Sequence, residues 1–239
     1  MSAKRLLIAA ALLLAASACG DSEPDANELD ADVNTLLETS SAAMGTVDTV
    51  RFEIERGGVP VYIDPTDTLE FKDAVGRFVA PQAADAVVKV AVNGINVQIG
   101  AIAIDGSVWL SNPITGAWEP APSTYAFDPT SLFSPDVGWR PLLGGELRDA
   151  RLIGREDFNG VPRYHIDGIA PQERIETITA NLVRDQDVHV DIWLDTVTGH
   201  VLEVIFDAET SAGVSNWRLT FFGYGDEIDI VPPDELSGG

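Results

Sequence analysis

The sequence predicts an α+β domain built on a single, strongly curved antiparallel sheet: a half-barrel of about ten strands with helices covering its concave side. Three observations predict it. Beyond one N-terminal helical stripe the hydrophobic period is two almost throughout, and Asn93-Gly94, Asp105-Gly106 and Asn159-Gly160 mark tight turns between neighbouring strands. Several strands are apolar on both faces, with Val87 beside Val88, and Ile99 set against Ile102 and Ile104. A flat sheet with one wet face does not tolerate that pattern. Finally, two stretches of helical character interrupt the strands and supply the cover.

In chain order, Asp25 with Glu28 opens a helix whose stripe is Leu29, Val33, Leu36, Leu37 and Met44, closed by Gly45. Strands follow at Thr49–Arg56, with Gly57-Gly58 as the turn, and at Thr68–Ala80, ended by Pro81. Ala84–Val92 and Ile95–Ile104 form the first strong hairpin, and Ser107–Ser111 comes next. Tyr125–Gly145 starts at Asp128-Pro129, but Pro135 and Pro141 break it into short turns carrying Leu132, Phe133, Trp139, Leu142 and Leu143. Arg148–Phe158 pairs with Val161–Ile169, and Pro171–Val183 is a helix with Ile175, Ile178 and Leu182 on one stripe. Val214–Tyr224 is the last strand, and 226–236 an extended acidic tail.

The hairpin around Thr198-Gly199 is predicted to its register. A three-residue loop, Val197 to Gly199, pairs Leu194 with Leu202, Ile192 with Val204 and Val190 with Phe206, so that one face is wholly apolar. The other face then pairs His189 with Asp207 and Trp193 with Glu203.

Lys4 and Arg5 precede eleven apolar residues, Leu6 to Ala16, too few to cross a membrane, and small residues lead up to Cys19. The expected organisation is a signal peptide at 1–18, Cys19 with a tether at 19–25, one domain at 26–236 and a tail at 237–239. Ala16-Ser17-Ala18-Cys19 resembles a bacterial lipobox, which implies a diacylglycerol on the Cys19 thiol. Cys19 is the only cysteine, so no intramolecular disulfide forms. The formal charge is -23. Such a charge disfavours nucleic acid and disfavours adsorption to anionic lipid without an anchor.

The residues offer little reactive chemistry. His165, His189 and His200 lack the spacing of a metal-binding helix, and no phosphate loop, dinucleotide fingerprint or nucleophile elbow is present. His189 and Asp191 share a strand face, which surface ion pairing explains better than catalysis. The acids Asp226, Glu227, Asp229, Asp234 and Glu235 lack the ordering of a calcium loop. The chain reads as non-enzymatic, with no catalytic residue, metal or cofactor.

Leu36–Met44 leading into Val50–Ile54, the Asp105-Gly106 strand with Trp109, and Trp118 soon after it together resemble the LppX/LprG lipoproteins, which share the LolA/LolB fold. Asp128–Phe133 with Leu142–Leu143, Asn159–Ile166 and Asp191–Phe206 extend the resemblance over nearly the whole domain. It implies an envelope lipoprotein, a monomer, whose hydrophobic cavity takes acyl chains of a lipid or glycolipid. It also implies attachment to the outer face of the cytoplasmic membrane, with an envelope transporter as the candidate protein partner. The expected lining is Val88, Val90 and Val92 from the first hairpin, with Val190, Ile192, Leu194, Leu202, Val204 and Phe206 from the last. Leu219 and Phe221 extend it, the 125–145 segment is the expected flap, and Arg140 is a candidate for a lipid head group. An anchored sensor or interaction scaffold with a filled core is the alternative.

Overall fold

The computed structural model describes residues 31–64, 66–121 and 129–233. Cys19, the signal and tether, the Asp25 helix start, 122–128 and the last six residues lie outside them. Helix α1 (Val33–Met44) is capped by Asp32, whose carboxylate accepts the Thr35 N–H at 3.2 Å. Its stripe buries Leu37 and Met44. Among the described residues no helix is long and apolar enough to cross a membrane.

Five strands follow much as expected: β1 (Thr49–Gly58), β2 (Leu69–Val79), β3 (Ala83–Val92), β4 (Ile95–Ile104) and β5 (Ser107–Ser111). Next comes β6 (Trp118–Pro120), too short for periodicity to reveal. The insertion consists of a 3-10 turn (Pro129–Phe133) and a single helical turn, α2 (Trp139–Pro141), running into a wide turn at Leu142–Glu146. Then come β7 (Arg148–Phe158), β8 (Val161–Ala170), α3 (Gln172–Ile178), β9 (Val188–Asp195), β10 (Val201–Thr210) and β11 (Gly213–Phe222).

All eleven strands form one antiparallel sheet in the order β6-β5-β4-β3-β2-β1-β11-β10-β9-β8-β7. Two meanders, β1 to β6 and β7 to β11, are joined where the first and last strands pair, with Phe52 opposite Phe221 and Ile54 opposite Leu219. The sheet is curved and unclosed, and β6 and β7 are its edges.

The last hairpin differs from its expected register by one bulge. Val204 faces Ile192, Phe206 faces Val190, and Glu203 faces Trp193, but Leu194 pairs with Val201 instead of Leu202. The loop is one residue longer than expected because the Asp195 carboxylate accepts the N–H groups of Val197 and Thr198 at 2.8 and 2.7 Å. Asp195 then closes the loop by donating its own N–H to the His200 carbonyl. Leu202 is the extra residue at the bulge, which restores the apolar pairing beyond it.

Phe52, Phe78 and Phe221 surround Phe133 of the insertion, at ring separations of 6.1, 4.8 and 5.7 Å. Trp139 packs edge-on against Phe221 at 5.3 Å. Ser41 of α1 donates to the Arg140 carbonyl at 2.8 Å, tying the helix to this insertion. The tail is fixed too: the Tyr224 hydroxyl donates to the Val201 carbonyl at 2.6 Å, and Thr49 Oγ1 to the Asp226 carbonyl at 2.8 Å.

Candidate functional site

Cover over the concave face is uneven. Leu132, Trp139, Leu142 and Leu143 are almost fully buried, so the described part of the expected flap is a plug in the core between α1 and the sheet. Val90, Val190, Ile192, Leu194, Val204, Phe206, Leu219 and Phe221 are packed into that same core. Val92 is partly buried against it, and Leu202 is set off by the bulge. Of the expected lining only Val88 faces open space.

The open space lies over the other half of the sheet. A cavity of about 700 Å³ is floored by Phe71 of β2, Val88 of β3, Ile99 and Ala101 of β4, and Leu110 of β5. The register explains the alignment, since Val88 pairs with Ile99, and Ala101 with Leu110. Alongside β2 runs the strap joining β1 to β2, held to it by the Phe71 N–H on the Val61 carbonyl (2.8 Å) and the Ile63 N–H on the Leu69 carbonyl (3.0 Å), with Pro60, Val61, Tyr62, Ile63, Asp64 and Asp67 on the cavity. Ala180, Asn181 and Leu182, after α3, close a third side. The signal for the strap was present in the sequence: Val59 to Ile63 is an apolar run placed in a loop, where no strand face needs it.

Two buried charges hold the strap. The Arg56 side chain is only 3% exposed and donates to the carbonyls of Phe71 (2.9 Å) and Val59 (2.8 Å), with Glu70 at 2.5 Å. Asp64 staples the strap from within, accepting the N–H groups of Thr68 (2.9 Å), Leu69 (2.6 Å) and Thr66 (3.2 Å) and the Thr66 hydroxyl. Burial raises the Asp64 carboxyl, but the Thr66 hydroxyl and these three N–H groups outweigh it and hold it at about 2.

The histidines are engaged elsewhere, on the convex face and in the last hairpin. His165 Nε2 meets Asp191 at 2.7 Å and Nδ1 meets Glu156 at 3.1 Å, while its ring stacks on Trp193 at 4.4 Å. His189 reaches Asp167 at 3.3 Å, so His189 and Asp191 each pair across to β8. His200 stacks on Tyr224 at 4.1 Å. Arg140 is not among the residues lining the cavity.

A cavity whose floor is apolar and whose walls add polar side chains, with no nucleophile and base assembled on it among the described residues, is equipped to hold a ligand. Over 154 residues the chain is 23% identical to the lipoarabinomannan carrier protein LprG of Mycobacterium tuberculosis and of Mycobacterium bovis, a match spanning 64% of this chain and 64% of those relatives. Among solved structures, LprF from Mycobacterium bovis superposes with a TM-score of 0.65 at 16% identity, over 84% of this chain and 96% of that one. LppX from Mycobacterium tuberculosis gives 0.58 at 13%, over 83% and 98%. The LppX_LprAFG lipoprotein model matches residues 32–230, nearly the whole domain, and the chain belongs to that lipoprotein family.

Proposed function

We propose that this protein binds an acyl chain of a lipid or glycolipid in the cavity over β2–β5 and carries or presents that lipid in the cell envelope. The observation that carries this reading is the space of about 700 Å³ over an apolar floor beside the strap. At roughly 30 Å³ for a water-sized group, comparable to a methylene, it takes about twenty such groups, the scale of one long acyl chain. Burying each methylene contributes about 0.8 kcal/mol, so a chain of that length is held by apolar contact alone. Val88, Ile99, Ala101 and Leu110 would touch the chain, and the core residues of β9–β11 would hold the wall in shape. The plug residues Leu132, Phe133, Trp139, Leu142 and Leu143 would back that wall.

The domain would work tethered to the outer face of the cytoplasmic membrane through a lipidated Cys19, as a monomer that exchanges its cargo with the membrane or with an envelope transporter. Uptake of a fluorescent fatty-acyl probe tests the cavity. Ile99→Trp and Leu110→Trp project bulk into the open space and are expected to cut uptake at least tenfold while the folded signal is kept. Undiminished uptake by both folded variants would place the ligand elsewhere.

A further inference from the structure

The rim of the cavity carries an unbalanced charge. Three carboxylates line it, Asp64, Asp67 and Glu119, and among the described residues Arg184 is the one cation there. Arg184 offsets one of them, so the described rim keeps an excess of two negative charges. Its Nε donates to the Asn181 carbonyl. The oxygens of Asp64 are taken up by the strap, so its negative charge is a fixed part of the wall. Asp67 and Glu119 are exposed, on opposite sides of the opening: one on the strap, one on β6. The remaining polar lining is uncharged, namely Tyr62, Ser111, Asn112, Asn181 and Thr210.

A lipid whose chain fills the cavity must leave its head at this rim. A phosphate or carboxylate head would be set against like charge while losing part of its hydration. A head of hydroxyl groups would meet amides and hydroxyls able to donate and accept. We infer that Asp67 and Glu119 are specificity-determining residues, making the cavity select acyl lipids with uncharged, hydroxyl-bearing heads over anionic heads on the same chain. This inference rests on the acyl-cavity reading.

The test uses two ligands that differ by one phosphate, monopalmitoyl glycerol and monopalmitoyl glycerol phosphate, each competing with a fluorescent acyl probe at low salt. Exposed charges act through water, so the expected preference for the neutral lipid is roughly tenfold. It should shrink severalfold at about 0.5 M salt, where screening is short-ranged. It should also shrink in the Asp67→Asn/Glu119→Gln double variant, whereas Asp64 is left intact because it folds the strap. Equal or tighter binding of the phosphate by the unaltered protein would overturn the inference, as would a ratio unmoved by the double substitution. Those results leave the acyl cavity standing. If neither lipid competes and no probe binds saturably, the acyl cavity itself falls, and the head-group inference with it.

Discussion

At the scale of residues, Asp64 shows how one side chain sets the shape of the cavity. Each of its oxygens accepts two groups from the strap and the first residue of β2, and the strap is one wall of the cavity. Hydrogen bonds to a charged acceptor contribute about 1.5–3 kcal/mol. Asp64→Asn is therefore expected to lower stability by about 2 kcal/mol in a denaturant titration at neutral pH. The carboxyl is held at about 2, below its ordinary 3.8, so its contribution is full above about pH 4 and fades as the pH falls through 2. The gap between the protein and Asp64→Asn should accordingly close on acidification from pH 4 to pH 2, and a gap that persists would show that the charge is not the cause. Val88 illustrates what was legible at this scale. Alternation along β3 identifies the residues facing inward, but it cannot say whether a helix or open space lies above each one. Val88 and Val90 share a face, yet only Val88 reaches the cavity.

At the scale of elements, the insertion and the last hairpin carry different lessons. Leu132, Phe133, Trp139, Leu142 and Leu143 were legible as a group that must be buried, because five large apolar residues in broken helical turns need cover. Lid and plug have the same composition, and the choice between them depends on Phe52, Phe78 and Phe221, which converge on Phe133 from strands distant in sequence. Phe133→Ala is expected to cost about 3–5 kcal/mol, the usual price of a buried aromatic. A change below about 1 kcal/mol in chemical denaturation would mean the insertion is only loosely seated. In the hairpin, alternation alone identified the pairs Val190–Phe206 and Ile192–Val204, since any other register exposes an apolar face. The bulge at Leu202 was not legible, because it follows from the Asp195 carboxylate lengthening the loop. Likewise β6, at three residues, is shorter than any period can mark.

At the scale of the whole molecule, the described residues form an open sheet of eleven strands with one concave face and too little helix among them to cover it. The curvature was legible from strands apolar on both sides; which half stays uncovered was not, because that depends on where α1, α3 and the insertion settle. The uncovered half is the cavity. A chain with a formal charge of -23 would not stay on an anionic membrane unaided, so the proposed anchor at Cys19 and the cavity have separable roles. Cys19→Ala is expected to move the protein from the membrane fraction to the soluble fraction and to leave probe binding by the purified domain within twofold. Loss of binding would show that the two are coupled. An acyl chain held over β2–β5 beside the strap should stay with the protein, and native mass spectrometry of the domain purified without detergent reads its presence. The expected result is a bound species whose extracted mass is that of an acyl lipid, at about one per chain, and its loss in folded Ile99→Trp. A folded domain that carries no lipid, and takes none up when acyl lipid is supplied, would contradict it.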